Sequence, residues 1–161
     1  MRRSGMTWML TFGWLAVVAL SGCESLMRSD AIGQSKPVNV LETRNGSDPA
    51  LNEGGQWVIN SYDEAHSIGS PQLDSLNVDF ESESLVLVTL GEQPTGGIWI
   101  KIDGVSAQGR ELYVYGVANR PGSNDATVQM LTYPFAAAVI PKTSADVLHI
   151  EFASVEGQDP S

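Results

Sequence analysis

LVLVTLGEQPTGGIWIK, residues Leu85 to Lys101, is an apolar run, a turn dense in glycine and proline, and a second apolar run. Leu85 to Leu90 has the length of a strand and a continuous apolar character, which predicts a central strand covered on both faces. Beyond the loop Gly91–Glu92–Gln93–Pro94–Thr95–Gly96–Gly97, period two puts Ile98, Ile100 and Ile102 on one strand face and Trp99, Lys101 and Asp103 on the other. A loop of Gly104 to Gly109 leads to a strand with Leu112, Val114 and Gly116 on one face and Tyr113, Tyr115 and Val117 opposite, so the two strands form a hairpin. Trp57 and Ile59 mark a first strand, Phe135 to Ile140 another and Val147 to Phe152 the last, while Asn119 to Asp125 is a turn-rich connection. Ser61-x-x-Glu64 has capping-box spacing and starts a short helix through about Ile68, which Gly69–Ser70–Pro71 ends. The expected fold is mainly β, a small β-sandwich or partly open barrel with one short helix after the first strand.

Outward from this domain, the N-terminus sets the compartment. Arg2 and Arg3 precede an almost uncharged apolar core, Leu10 to Leu20, and Leu20–Ser21–Gly22–Cys23 supplies the small residues a signal peptidase needs. The apolar run is shorter than the roughly 20 residues a membrane span takes. The chain's single cysteine closes it, which resembles the lipobox of bacterial lipoproteins. That resemblance implies a signal peptide over 1–22, a diacylated Cys23, and export to the bacterial cell envelope. Two acyl chains hold a protein firmly on a membrane. Glu24 stands where an Asp would signal inner-membrane retention, which favours the outer membrane. The alternatives are an ordinary secretory signal or a short uncleaved anchor.

Loss of residues 1–22 removes two arginines and no acid, leaving seven basic against nineteen acidic residues, formally −12. Such a surface repels nucleic acid and anionic headgroups, so the membrane is expected to be met only through the lipid. One cysteine permits no intramolecular disulfide, and stability must come from the core. Residues 23–55 are rich in Ser, Asn, Asp and Gly and read as a flexible tether, with an end-to-end distance on the order of 30 Å, to which Val38 to Leu41 adds at most a short strand. The folded domain is expected over 56–153, enough for one modest core, with a disordered acidic tail over 154–161.

The loop at 91–97 is the leading candidate site. Pro94 fixes its own φ and biases Gln93 toward extended geometry, and Gly96 and Gly97 can take positive φ without steric cost. A pre-ordered exposed loop loses little entropy on docking. A strand connection alone is the plainer reading. Phosphate cradling fits poorly, because a GK[ST] ending is absent, a strand follows, and Glu92 would repel the ligand.

Val78–Asp79–Phe80, the run Leu85 to Gly97, Gln129–Met130–Leu131–Thr132–Tyr133–Pro134–Phe135 and Ile140–Pro141–Lys142 occur in an order that resembles the PrcB-type domain. The resemblance covers about Trp57 to Phe152. It implies a secreted or lipid-anchored accessory protein whose namesake stabilises a surface protease complex, with a protein partner, no catalysis and no cofactor. Partner contacts are then expected from Glu92, Gln93, Pro94, Thr95, Gly96, Gly97 and Trp99. Where that family commonly has an aromatic after the double glycine, this chain has Ile98, with the ring displaced to Trp99. The loop also resembles, more distantly, the Pro-Thr-Thr-Gly-aromatic wedge of chagasin-type cysteine-protease inhibitors, through Pro94–Thr95–Gly96 and at most Gly97, so that the wedge would be the Pro94–Gly97 loop. That makes inhibition the alternative, and a structural envelope lipoprotein or small-ligand module the third.

The remaining polar and aromatic residues offer less. Trp99, Tyr113 and Tyr115 fall on one face and are a possible aromatic patch, or simply core. His66 and His149 read as surface histidines, and without HExxH or GxSxG there is neither a zinc site nor a nucleophile–base arrangement to expect. Asp79, Glu81 and Glu83 recur every second residue and could hold a cation, but lack a calcium-loop pattern and read better as a solvated strand edge.

Overall fold

The computed structural model describes residues 34–122 and 128–157. Their order is β1 (Lys36–Val38), β2 (Glu42–Ser47), a 3-10 turn (Pro49–Leu51), β3 (Gly54–Ile59), α1 (Tyr62–Ile68), α2 (Pro71–Asp74), β4 (Glu83–Leu90), β5 (Trp99–Gln108), β6 (Glu111–Arg120), β7 (Pro134–Pro141) and β8 (Val147–Glu156). The signal peptide, the lipidation site Cys23 and the end of the tail lie outside the described residues.

The strands form two four-stranded sheets, β1-β5-β6-β8 and β2-β7-β4-β3. Neighbours are antiparallel except β6 and β8, which run parallel. The expected mainly-β fold is therefore a sandwich of two sheets, with no closed barrel.

β4 is central, as its unbroken apolar run predicts, between β3 and β7. Its even residues Val86 and Val88 meet Ala136, Ala138 and Ile140 of β7 and the other sheet's Ile100, Ile102, Val105, Leu112 and Val114. Its odd residues Leu85 and Leu87 pack with Phe135, Ala137 and Val139 under a lid of Ala65, Leu73, Leu76, Val78 and Phe80. The second sheet is thus the middle layer of three, covered by a sheet on one side and by the helical segment on the other.

The helix signals act as read. Ser61 caps α1, accepting from Glu64 N, while Glu64 Oε2 accepts from Asn60 N at 2.7 Å, and Gly69 ends the helix at φ 68°. Ser70 and Pro71, read as terminators, also begin α2, with Ser70 accepting from Leu73 N and proline in the first turn. There are two short helices rather than one, and they follow the third strand.

Four further expectations are corrected. Much of the expected tether is folded: β2 pairs along β7 from Glu42↔Val139 to Ser47↔Pro134, and Asp48 and Leu51 are buried. Pattern reading misses β2 because ETRNGS has no apolar face; main-chain bonding along a covered neighbour is what holds it. The strand after the loop does not end at Gly104. A bulge between Ile102 and Gly104 shifts the register, so Val105 and Ala107 continue the inward face against Val114 and Leu112, and Gly109 at φ 63° with Arg110 makes the turn. β6 also reaches Arg120, and β8 runs through Glu156, so residues 154–156 of the expected tail are strand. Asp79 and Glu81 belong to the turn that leads into β4 at Glu83; Asp79 accepts there from Glu81 N and Ser82 Oγ, and Glu83 accepts from Asp79 N.

Lys142, the last residue of the Ile-Pro-Lys step, is a fastener. Its ammonium donates to Asn60 O at 2.7 Å and Phe80 O at 2.6 Å, tying the end of β7 to the start of α1 and to the turn before β4. Lys142→Met should lower the unfolding free energy by about 1.5 kcal/mol, the low end for charge-assisted bonds because one carbonyl is exposed. A shift in the urea midpoint with an unchanged slope measures it.

Candidate docking site

The loop between β4 and β5 is held along its whole length. Gly91 sits at φ 68°, and a Cβ there would stand 2.7 Å from Gly54 N, so only glycine lets the chain pass β3. Glu92 N donates to Asn52 O at 3.2 Å. Gln93 and Thr132 exchange backbone bonds in both directions, at 2.7 and 2.9 Å, and Thr132 Oγ1 donates to Thr95 O at 2.9 Å. Gly96 N donates to Val128 O at 3.0 Å, and Asn119 Nδ2 closes the loop on Gly97 O at 2.9 Å. Gly97 takes the left-handed region at φ 83°, as expected; of the double glycine it alone does.

The loop and the segment from Val128 to Tyr133 therefore form one ordered ridge. Glu92, Pro94 and Gly97 are exposed on it, and Gln93, Thr95, Gly96 and Trp99 are half-buried. Beside them Val128 is 67 % exposed, Met130 54 % and Leu131 54 %. Three large apolar side chains together in water mark an interaction surface more often than chance placement does. These three were missed as site residues. The signal was present: an apolar cluster inside a connection with no strand or helix period.

Charge on the ridge is local. Tyr133 Oη donates to Glu92 Oε2 at 3.2 Å, and partial burial, with the Glu92 carboxylate beside it, raises the Tyr133 pKa above its usual 10.0.

The aromatic patch does not assemble as one unit. Tyr113 and Tyr115 share the outer face of β6, but Trp99 pairs with Asn119, four residues beyond Tyr115 and roughly 13 Å along the strand. Trp99 belongs with the loop instead. Tyr113 stacks on His149, with ring centres 4.6 Å apart and planes at 17°, and both meet Glu111 Oε2, at 2.9 and 3.1 Å. The hydrogen bond to Glu111 is the main cause holding the Tyr113 pKa above 10.0. His149 faces solvent, as period two predicts, and His66 lies out on α1, 3.7 Å from Asp74. Among the described residues no group of three His, Cys, Asp or Glu could hold a metal ion.

A separate open cleft of about 240 Å³ is lined by Leu51, Trp57, Ile68 and Leu87, with Asn52 and Glu53 at its rim. It offers apolar walls and little to orient a ligand.

Residues 84–141 match the family model described as PrcB C-terminal. This segment is PrcB-like. The match begins at the start of β4 and ends with β7, so it takes in the loop, the hairpin and the apolar segment bonded to the loop. It is shorter than the resemblance read from sequence, leaving out Val78–Asp79–Phe80 before it and Lys142 after it. No curated protein and no solved structure matches the chain. The chagasin-type resemblance thus gains no support, while the PrcB-like one rests on residues that build a single ridge.

Proposed function

We propose that this chain is a lipid-anchored, non-enzymatic protein of the bacterial envelope, whose PrcB-like domain docks on an exported protease complex as an accessory or stabilising subunit. The lipobox reading of Cys23 supports the anchor, and the family match supports the protease link. The observation that carries the docking is the ridge: a loop immobilised by main-chain bonds, flanked by the exposed Val128, Met130 and Leu131. Such a surface gives up little conformational entropy on binding and presents apolar area for burial.

The test is affinity purification from membranes, with identification of what co-purifies. A protease subunit should appear with the wild-type chain and be lost with Met130→Glu/Leu131→Glu. Both side chains point to water, so this variant should keep its urea midpoint. Replacing Thr95–Gly96–Gly97 by bulky residues should weaken capture as well, but Gly97 at φ 83° makes that change strain the loop. Undiminished capture by a folded Met130→Glu/Leu131→Glu variant would sink the docking ridge.

A further inference from the structure

Among the described residues β8 is an edge strand of its sheet. Among these it pairs only with β6, over ten residues and without a register shift. Edges of that length invite another strand, and natural proteins blunt them with proline, bulges or charge. Between Val147 and Glu156 there is no proline, and the Gln56 amide donates to Leu148 O at 2.7 Å, a side-chain bond that the Phe152 N–H of an incoming antiparallel strand would replace.

We propose that β8 pairs antiparallel with β8 of a second copy of this chain, about a two-fold axis at Ile150, joining two four-stranded sheets into one of eight. Leu148, Ile150 and Phe152 face the core and Val147, His149 and Glu151 face solvent. Continuing both faces requires like parity across the axis, so the axis passes through a residue position and not between two. Centred on His149, the strand sets that ring against itself. Centred on Glu151, it sets two carboxylates face to face. Centred on Ile150, it places each His149 opposite the Glu151 of the second copy, twice over, and Leu148 opposite Phe152. It is the only allowed centre that pairs a basic with an acidic side chain.

This self-complementarity selects a second copy as occupant, through the closed isologous contact that two-fold dimers use. A chain with formal charge −10 resists its own kind over most of its surface, but the solvent face of β8 brings its own histidine to meet its own carboxylate.

Light scattering on the full chain in detergent, over a concentration series, should give a dimer. Glu151→Lys, which sets Lys opposite His149, should raise its dissociation constant at least tenfold, and Glu151→Gln should fall between. Glu156→Lys makes the same charge change outside the proposed pairs and should leave the constant unchanged. A wild-type monomer at every concentration overturns the proposal, as does a dimer indifferent to Glu151→Lys. Should that variant fail to fold, hydrogen exchange on the wild type decides the question. Amide protection at residues 148–152 that rises with protein concentration supports self-pairing, and protection independent of concentration refutes it, including the case in which another protein's strand takes the edge.

Discussion

Phe135→Ala is expected to cost about 3–5 kcal/mol of folding stability, the range for emptying a fully buried aromatic site. Phe135 has no exposed surface and lies in the layer between β7 and the helical lid, with Leu85, Leu87, Ala137 and Val139 on the same side. Its β2 neighbour is Gly46, where a Cβ would come within 3.3 Å of the ring edge, so the edge strand is cut to fit the phenyl group. Truncation leaves a void that rigid strands on either side cannot close. Domains of this kind have roughly 5–15 kcal/mol in total, so about a fifth or more should disappear, read as a lower urea midpoint at constant slope. A loss under about 1.5 kcal/mol would mean the site collapses around the smaller side chain. The prediction also separates two roles for the Tyr133–Pro134–Phe135 step: its phenylalanine is core, and only the segment before it reaches the docking ridge.

The elements legible in the chain were those with one dominant physical signal. Leu85–Leu90 declares a two-sided burial by having no polar face, Ser61 and Glu64 declare a helix start, and Ile100 and Ile102 against Gly116 and Val114 declare a hairpin. β2 could not be read that way. Its residues are polar on both faces, and its place is secured by β7, which arrives some ninety residues later. The bulge at Asp103–Gly104 was hidden for a related reason. An inserted residue inverts the period, so a correct alternation before it and another after it look like a strand followed by a loop.

The candidate site divides along the same line. The Gly-Pro-Gly chemistry of residues 91–97 shows an ordered turn, because φ restrictions are local. What the turn is ordered against is not local. The Gln93–Thr132 pair and the Gly96–Val128 bond span more than thirty residues, and with the Thr132–Thr95 bond they bring Val128, Met130 and Leu131 alongside the loop. Period two placed Trp99, Tyr113 and Tyr115 on one face correctly, but face is not distance, and the strand register separates Trp99 from the tyrosines.

Gly116→Ala should be nearly as damaging as the phenylalanine truncation, by the opposite mechanism. Gly116 lies on the inward face of β6, opposite Ile102 on one side and Phe152 of β8 on the other. Its conformation needs no glycine; its surroundings do. A Cβ would overlap the Lys101 carbonyl oxygen and stand 2.9 Å from Phe152 Cε1. Glycine inside a strand commonly marks such a close approach of another backbone, here that of β5 just before its bulge. Overpacking a rigid core typically costs 1–3 kcal/mol, and we expect about 3 kcal/mol because one of the two obstacles is main chain and cannot rotate away. The double variant tests which obstacle rules. If the Phe152 ring were the chief conflict, Phe152→Leu would recover most of the loss caused by Gly116→Ala, beyond its own effect. With the Lys101 carbonyl as the chief conflict, the two changes should add to within about 0.5 kcal/mol. Additivity would place the conflict in the β5–β6 hairpin itself, and strong rescue would move it to the packing of β8.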